Sequence, residues 1–96
     1  MDNIIPSELE IMKMSLFIKV ISDSTRLKIL FAIKKKPKAV NQIVELVGAT
    51  QSAVSHQLSI MRGVNIVETK REGNKIFYQL TDQKISKILD IVLAHI

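Results

Sequence analysis

The amino-acid sequence predicts a mainly α-helical fold with one small β-hairpin, in the element order ααααββα. Apolar residues recur at helical spacing in four segments that fill the first two thirds of the chain. The pair Gly73-Asn74, a hairpin turn signal, then separates two segments typical of strands, Val67 to Arg71 and Lys75 to Leu80. A last segment, again rich in apolar residues, predicts a fifth helix that runs through His95.

The first and last helices are expected to be apolar on every side. The first begins near Ser7, which opens a capping-box pattern, and nine of the thirteen residues from Leu9 to Ile21 are apolar. Thr81 or Asp82 can cap the last helix, in which eight of the twelve residues from Ile85 to Ile96 are apolar. A helix without a polar face has to be covered on both sides.

The second helix is expected to start after Asp23, a good N-cap, and to run from Ser24 to about Lys35. Pro37 ends it, because proline disfavours the helical conformation in the preceding residue. Four apolar residues of this helix are predicted to point inward: Leu27, Leu30, Phe31 and Ile33.

The third and fourth helices are joined by a short turn that contains glycine. Asn41 is the expected cap of the third helix, and Gly48 signals its C-terminal end. Thr50 then caps the fourth helix, which Asn65 is expected to close because asparagine tolerates the left-handed conformation. The apolar side of the third helix is formed by Ile43, Val44 and Val47. Two helices joined so tightly form a helix-turn-helix, and the hairpin makes residues 1–96 a single winged-helix domain.

The fourth helix has one face made of short polar side chains. Its apolar residues Val54, Leu58 and Met61 recur at helical spacing and face the core. Its polar residues share the other face: Gln51, Ser52, Ser55, His56 and Ser59. Short side chains of this kind can reach base edges and phosphates while the helix backbone comes close to the floor of a DNA major groove. The pattern therefore predicts a DNA recognition helix.

Positive charge is concentrated in the middle of the chain. The net charge is +5, but residues 24–78 carry ten Lys and Arg against three acids, or +7, while the flanks carry −2. This distribution favours a polyanionic partner such as nucleic acid. Within it, Arg62 and the basic hairpin tip are the charged candidates for DNA contact; the tip consists of Lys70, Arg71, Asn74 and Lys75.

Composition also excludes several classes of protein. No run of eighteen apolar residues predicts a membrane span, and no secretory signal is visible, so a cytoplasmic location is expected. The absence of cysteine excludes disulfides, thiol-ligated zinc and thiol redox sensing. No nucleophile and base set, phosphate-binding glycine loop or metal-ligand cluster indicates an enzyme.

The apolar terminal helices predict a homodimer. A domain of 96 residues has too few residues to cover two helices that are apolar on every side. We therefore expect the first and last helices to pack against a second copy of the chain. The predicted interface residues are Leu9, Met12, Leu16, Ile88, Ile91, Val92 and His95.

Three groups of residues resemble the ArsR/SmtB family of winged-helix repressors. The segment Ser22 to Leu30 is similar to the family's Asp-x-x-Arg-x-x-Ile-Leu, and Val54 to Leu58 reads Val-Ser-His-Gln-Leu, like its recognition helix. Arg71-x-Gly73 with Tyr78 and Leu80 resembles its wing. The resemblance implies a homodimer on an inverted-repeat operator, commonly released when an inducer binds. It also implies that the polar residues of the fourth helix and the hairpin tip contact DNA.

Metal-sensing members of that family often bind metal across the dimer, between the two last helices, through a pattern of ligands that this chain matches in part. Its register gives Asp82, Lys84 and His95, and a fourth position would lie beyond Ile96. Lys84 offers an ammonium group where an imidazole is needed, and zinc takes three or four protein ligands. Asp82 and His95 thus remain candidate metal ligands, but we expect Asp82 to cap the last helix and His95 to favour its C-terminal dipole.

The sequence leaves two functional alternatives open. One is a winged-helix adaptor that binds an acidic protein partner without reading DNA; against it, the basic region displays short polar groups rather than the aromatic anchors of protein interfaces. The other is RNA binding, which the scarcity of aromatic residues disfavours. No cofactor is expected, and the inducer, if one exists, is not indicated.

Overall fold

A computed structural model describes residues 4–96 and contains, over that range, five α-helices and one antiparallel pair of strands. The elements are α1 Glu8–Ile21, α2 Ser24–Ile33, α3 Val40–Val47, α4 Gln51–Gly63, β1 Val67–Glu72, β2 Lys75–Leu80 and α5 Gln83–His95. The order ααααββα is the predicted one. The first three residues of the predicted domain 1–96 lie outside the described range.

Local caps fix the helix starts where the sequence places them. In α1, the Ser7 hydroxyl accepts from the Glu10 backbone N–H at 3.1 Å and the Ser7 N–H donates to the Glu10 carboxylate at 2.9 Å. The Thr50 hydroxyl accepts from the N–H of Ala53 at 3.1 Å and starts α4. At the start of α5 the cap is Asp82, and Thr81 instead donates its hydroxyl to the Asn65 carbonyl at 2.8 Å.

Helix α3 begins earlier than predicted. Its N-cap is Ala39 rather than Asn41, and the Gln42 side chain accepts from the Ala39 N–H at 2.8 Å. The reason lies in β2, because Lys38 exchanges two backbone hydrogen bonds with Tyr78, at 2.8 and 3.0 Å. This bridge holds the chain extended as far as Lys38 and attaches the hairpin to the helical part of the domain.

Two further expectations for helices are wrong. Helix α2 ends at Ile33 rather than Lys35, and the Lys38 ammonium donates to the Ala32 carbonyl near that end at 2.6 Å. Phe31 is 39% exposed and does not point into the core; Ile29 occupies the buried position instead. By contrast, Asn65 closes α4 as expected: the helix ends at Gly63, and Asn65 follows in the left-handed conformation with φ of 61° and donates its N–H to the Arg62 carbonyl at 3.1 Å.

The core lies between α2, α3, α4 and the base of the hairpin. It is completed by one residue of α1 and two of α5, and it consists of Val20, Ile29, Leu30, Ile33, Ile43, Val54, Leu58, Met61, Ile66, Val67, Leu80, Ile85 and Leu89. Because Val54, Leu58 and Met61 on one side of α4 lie in this core, the opposite side of α4 is turned outward. No helix formed by residues 4–96 combines the length and the apolar character needed to cross a membrane.

Candidate nucleic-acid interface

Helix α4 presents one continuous polar surface, which we call the reading face. Its apolar residues Val54, Leu58 and Met61 are all buried. The reading face consists of six exposed side chains: Gln51, Ser52, Ser55, His56, Ser59 and Arg62. The structure thus places together every residue that the sequence assigned to this helix. No part of residues 4–96 covers them, so a bound partner can approach along the whole length of α4.

Arg26 holds α4 in place from the side opposite the reading face, through a hydrogen bond to Gln57. The sequence patterns do not predict this role. Arg26 of α2 donates from Nη1 to Gln57 Oε1 at 2.7 Å and from Nε to the Val20 carbonyl at 2.5 Å. Its own backbone N–H donates to the Asp23 carboxylate at 3.0 Å. Arg26 therefore joins the last turn of α1, the first turn of α2 and the middle of α4.

The hairpin tip is the second part of the candidate interface. All four residues predicted there are exposed: Lys70, Arg71, Asn74 and Lys75. The strand register pairs Lys70 with Phe77 and Arg71 with Ile76, so the two basic side chains emerge on opposite faces of the hairpin. Lys70 also lies 3.6 Å from the Glu72 carboxylate, and both groups are more than half exposed. This ion pair reduces the positive charge at the tip.

Some of the basic residues in the middle of the chain are engaged within the domain. The largely buried Lys34 ammonium lies 3.0 Å from the Asp90 carboxylate of α5, and Lys38 caps α2. Arg26 binds Val20 and Gln57 as described above. Charge counting along the sequence could not separate these three from the lysines and arginines that remain exposed. The electrostatic surface available to a polyanion is therefore smaller than the count of ten suggests.

The terminal helices carry an uncovered apolar surface. Val20 is the buried residue of α1, and Ile85 and Leu89 are those of α5. The seven residues predicted at a subunit interface are all exposed: Leu9, Met12, Leu16, Ile88, Ile91, Val92 and His95. An apolar groove of about 370 Å³ runs beside them, between the end of α1, α2 and α5, and Phe31 forms part of its wall.

The two candidate metal ligands lie at opposite ends of α5. Asp82 Oδ1 accepts from the Lys84 backbone N–H at 2.8 Å, and His95 is the last residue of the helix. They are thirteen positions apart, about 20 Å along the helix, so one ion would have to take Asp82 from one subunit and His95 from the other. Within residues 4–96 no group of three or more His, Asp and Glu side chains could hold a metal.

Comparison with known proteins places this architecture in a family. A sequence model described as "Bacterial regulatory protein, arsR family" matches residues 23–69. The crystal structure of NolR from Sinorhizobium fredii is 31% identical, superposes with a TM-score of 0.81, and the match covers 96% of this chain and 93% of that one. The chain belongs to the arsR family.

Other arsR-like relatives agree in fold and sequence. The transcriptional regulator NmtR from Mycobacterium tuberculosis is 35% identical over 78 residues, or 81% of this chain and 65% of that protein. The winged helix-turn-helix domain of Mb0332 from Mycobacterium bovis is 21% identical with a TM-score of 0.83, covering 93% of this chain and 85% of that one, and supports the fold. The chain spans between 55% and 65% of the length of NmtR and two further curated regulators.

The segment matched by the arsR family model contains the reading face of α4 but not the hairpin tip. Residues 23–69 run from the Asp23 cap of α2 to the first strand of the hairpin. They include Arg26 and the whole reading face of α4, whereas all of α1, the hairpin tip and all of α5 lie outside. The family model therefore matches the part of the molecule that carries the reading face.

Proposed function

We propose that this protein is a sequence-specific DNA-binding transcriptional regulator, acting as a homodimeric repressor on an inverted-repeat operator. The reading face carries this proposal. Six exposed polar side chains follow one side of α4, while the opposite side is anchored in the core. Serine, glutamine and histidine can exchange hydrogen bonds with base edges, and Arg62 can bind phosphate or guanine. The name of NmtR, a transcriptional regulator, agrees with this function.

A second copy of the chain is the proposed cover for the apolar surface of α1 and α5. Exposed apolar side chains lie on several sides of α1, and a surface of this extent is typical of an association site. The M. bovis domain that shares the fold is described as homodimeric. Two copies related by a two-fold axis would present two α4 helices to successive major grooves, about 34–36 Å apart.

A salt titration tests the nucleic-acid part of the proposal. We expect the logarithm of duplex affinity to fall with the logarithm of salt concentration at a slope of at least about −5, since each neutralised phosphate contributes about −0.9. Fluorescence anisotropy with operator, random duplex and heparin measures these slopes. A shallow slope with equal affinity for all three polyanions would instead support the adaptor alternative, in which the domain binds an acidic protein.

The proposal includes a cytoplasmic location, where operator DNA is accessible, and a role other than catalysis. Regulatory relatives such as NmtR support a non-enzymatic role.

The exposed polar face of α4 also favours DNA over an acidic protein as the partner of this domain. Protein interfaces are usually anchored by aromatic or large apolar side chains. None of the six side chains on the reading face is of that kind.

We also propose that Asp82 and His95 do not form a metal-sensing site. Asp82 accepts from the Lys84 N–H as the cap of α5, and Lys84 places a cation where the family's pattern has a histidine. Zinc at micromolar concentration is therefore expected to change operator affinity by less than about twofold, because two ligand types per subunit are too few for tight binding. Anisotropy with and without zinc measures this. A large zinc-dependent release that disappears in His95→Ala would overturn the assignment.

A further inference from the structure

We infer that Arg26 is a positioning residue that sets the orientation of α4 relative to α1, and thereby the spacing at which a dimer presents its two reading faces. The inference rests on the proposed function. The guanidinium group of Arg26 donates two hydrogen bonds, one to Gln57 Oε1 of α4 and one to the Val20 carbonyl of α1. Those two helices have different proposed tasks, reading DNA and joining subunits.

The contact on α4 is placed to control orientation rather than to touch DNA. Two residues advance a helix by about 200°, so Gln57 points away from both Ser55 and Ser59. It is half-buried, beside the apolar stripe that packs in the core. Apolar packing is not directional and permits small rotations of a helix about its axis. A hydrogen bond from a planar group is directional and fixes that rotation.

The contact on α1 fixes the other end of the link. The Val20 carbonyl belongs to the last turn of α1, where carbonyl groups have no partner within the helix. Arg26 Nε supplies that partner, and Ser22 does the same for Lys19, donating its hydroxyl at 2.7 Å. Since Asp23 holds the backbone of Arg26, the guanidinium has little freedom to follow one helix without the other.

Arginine suits this role because its donors lie in one rigid plane. Nε and Nη1 can point at two acceptors at once, whereas a lysine ammonium is a single point on a flexible stem. A lysine at position 26 would keep the charge but could not hold both helices in one fixed geometry. A displacement of the end of α1, for example when the subunits repack, would also be transmitted to α4 through this group.

The test measures how strongly the protein prefers one spacing between the two half-sites of its operator. A loss of folding stability alone would weaken binding to every duplex and would not change this preference. An inverted-repeat duplex is first selected by the wild-type protein from a randomised pool, and a second duplex carries one extra base pair between the half-sites. That insertion rotates one half-site by about 34° relative to the other. We expect wild type to prefer the selected spacing by about tenfold or more. Gln57→Leu and Arg26→Lys should reduce that preference to less than about threefold.

Matched variants separate positioning from folding. Gln57→Glu keeps an acceptor for Arg26 and should restore the spacing preference, even if added negative charge weakens binding to both duplexes. Gln83→Leu makes the same change as Gln57→Leu at an exposed site on α5 and should leave the preference unchanged. Thermal unfolding and sedimentation confirm that each variant is folded and associated as the wild type is.

The outcomes distinguish this inference from the proposed function. If wild type selects no sequence from the pool, the proposed function fails. If wild type selects an operator but Gln57→Leu and Arg26→Lys, both folded, keep the full spacing preference, the positioning role of Arg26 is wrong. Coupling of about threefold or more between Arg26→Lys and Gln57→Leu in a double-mutant cycle of operator affinity supports a direct link.

Discussion

The double variant Ser55→Ala, His56→Ala is expected to lose operator preference completely while remaining a folded dimer. Both side chains are exposed in the middle of the reading face, and neither belongs to the hydrophobic core. A specific operator is usually bound about 10³-fold or more tightly than random DNA, and that margin comes from base contacts. We therefore expect operator affinity to fall by about 10³-fold, to the value for a random duplex. Competitive anisotropy measures both affinities.

Binding to random duplex should be little affected by the same double variant. Neither substitution removes a permanent positive charge, and non-specific binding depends on phosphate neutralisation. Ser24→Ala, at the exposed first residue of α2, provides a serine control away from the reading face and should retain operator preference. A double variant that still discriminates operator from random duplex would show that α4 does not read the sequence.

The variant Ile91→Glu is expected to be monomeric at micromolar concentration and to lose at least about a hundredfold in operator affinity. Ile91 is 68% exposed in the single chain and lies on the apolar surface of α5. If a second copy covers this surface, the new carboxylate has to be buried without a partner, which is costly. The loss of affinity follows because a dimer gains the second half-site at high effective concentration. Sedimentation equilibrium and anisotropy measure the two effects.

Leu46→Glu is the matched control for Ile91→Glu. Leu46 is an apolar residue of α3 that is 62% exposed, so the substitution is chemically the same at similar exposure. It lies outside α1 and α5, and we expect a dimer with operator affinity within about twofold of wild type. Leu16→Glu on α1 should behave like Ile91→Glu. Dimers that persist in both of these variants would contradict an interface formed by the terminal helices.

Features that depend on near neighbours in the chain could be predicted from the sequence. The pair Ser7 and Glu10, and the hydroxyl of Thr50, act over three residues and start their helices as expected. Gly48 adopts a left-handed φ of 77° at the end of α3, again as a local signal. The reading face follows from helical spacing in the same way. Such interactions join residues only a few positions apart. Both partners can therefore be recognised from their spacing in the sequence.

Features that depend on distant partners could not be predicted. Arg26 and Gln57 are 31 residues apart, so no periodic pattern relates them. The pairing of Lys38 with Tyr78 moved the start of α3, because it connects a loop to a strand far along the chain. Phe31 shows a related difficulty. Periodicity identifies an apolar side of α2, but it does not separate a side buried in the same chain from one left for another molecule.

The uncovered length of α1 has a consequence for how the proposed regulator responds to its own abundance. Residues 8–16 are exposed throughout in the isolated chain, so this half of the helix gains its packing only on association. If pairing precedes DNA binding, operator occupancy at low abundance rises with the square of the number of chains per cell. A modest fall in synthesis, or dilution by growth and division, would then release the promoter more sharply than a one-to-one binding curve allows.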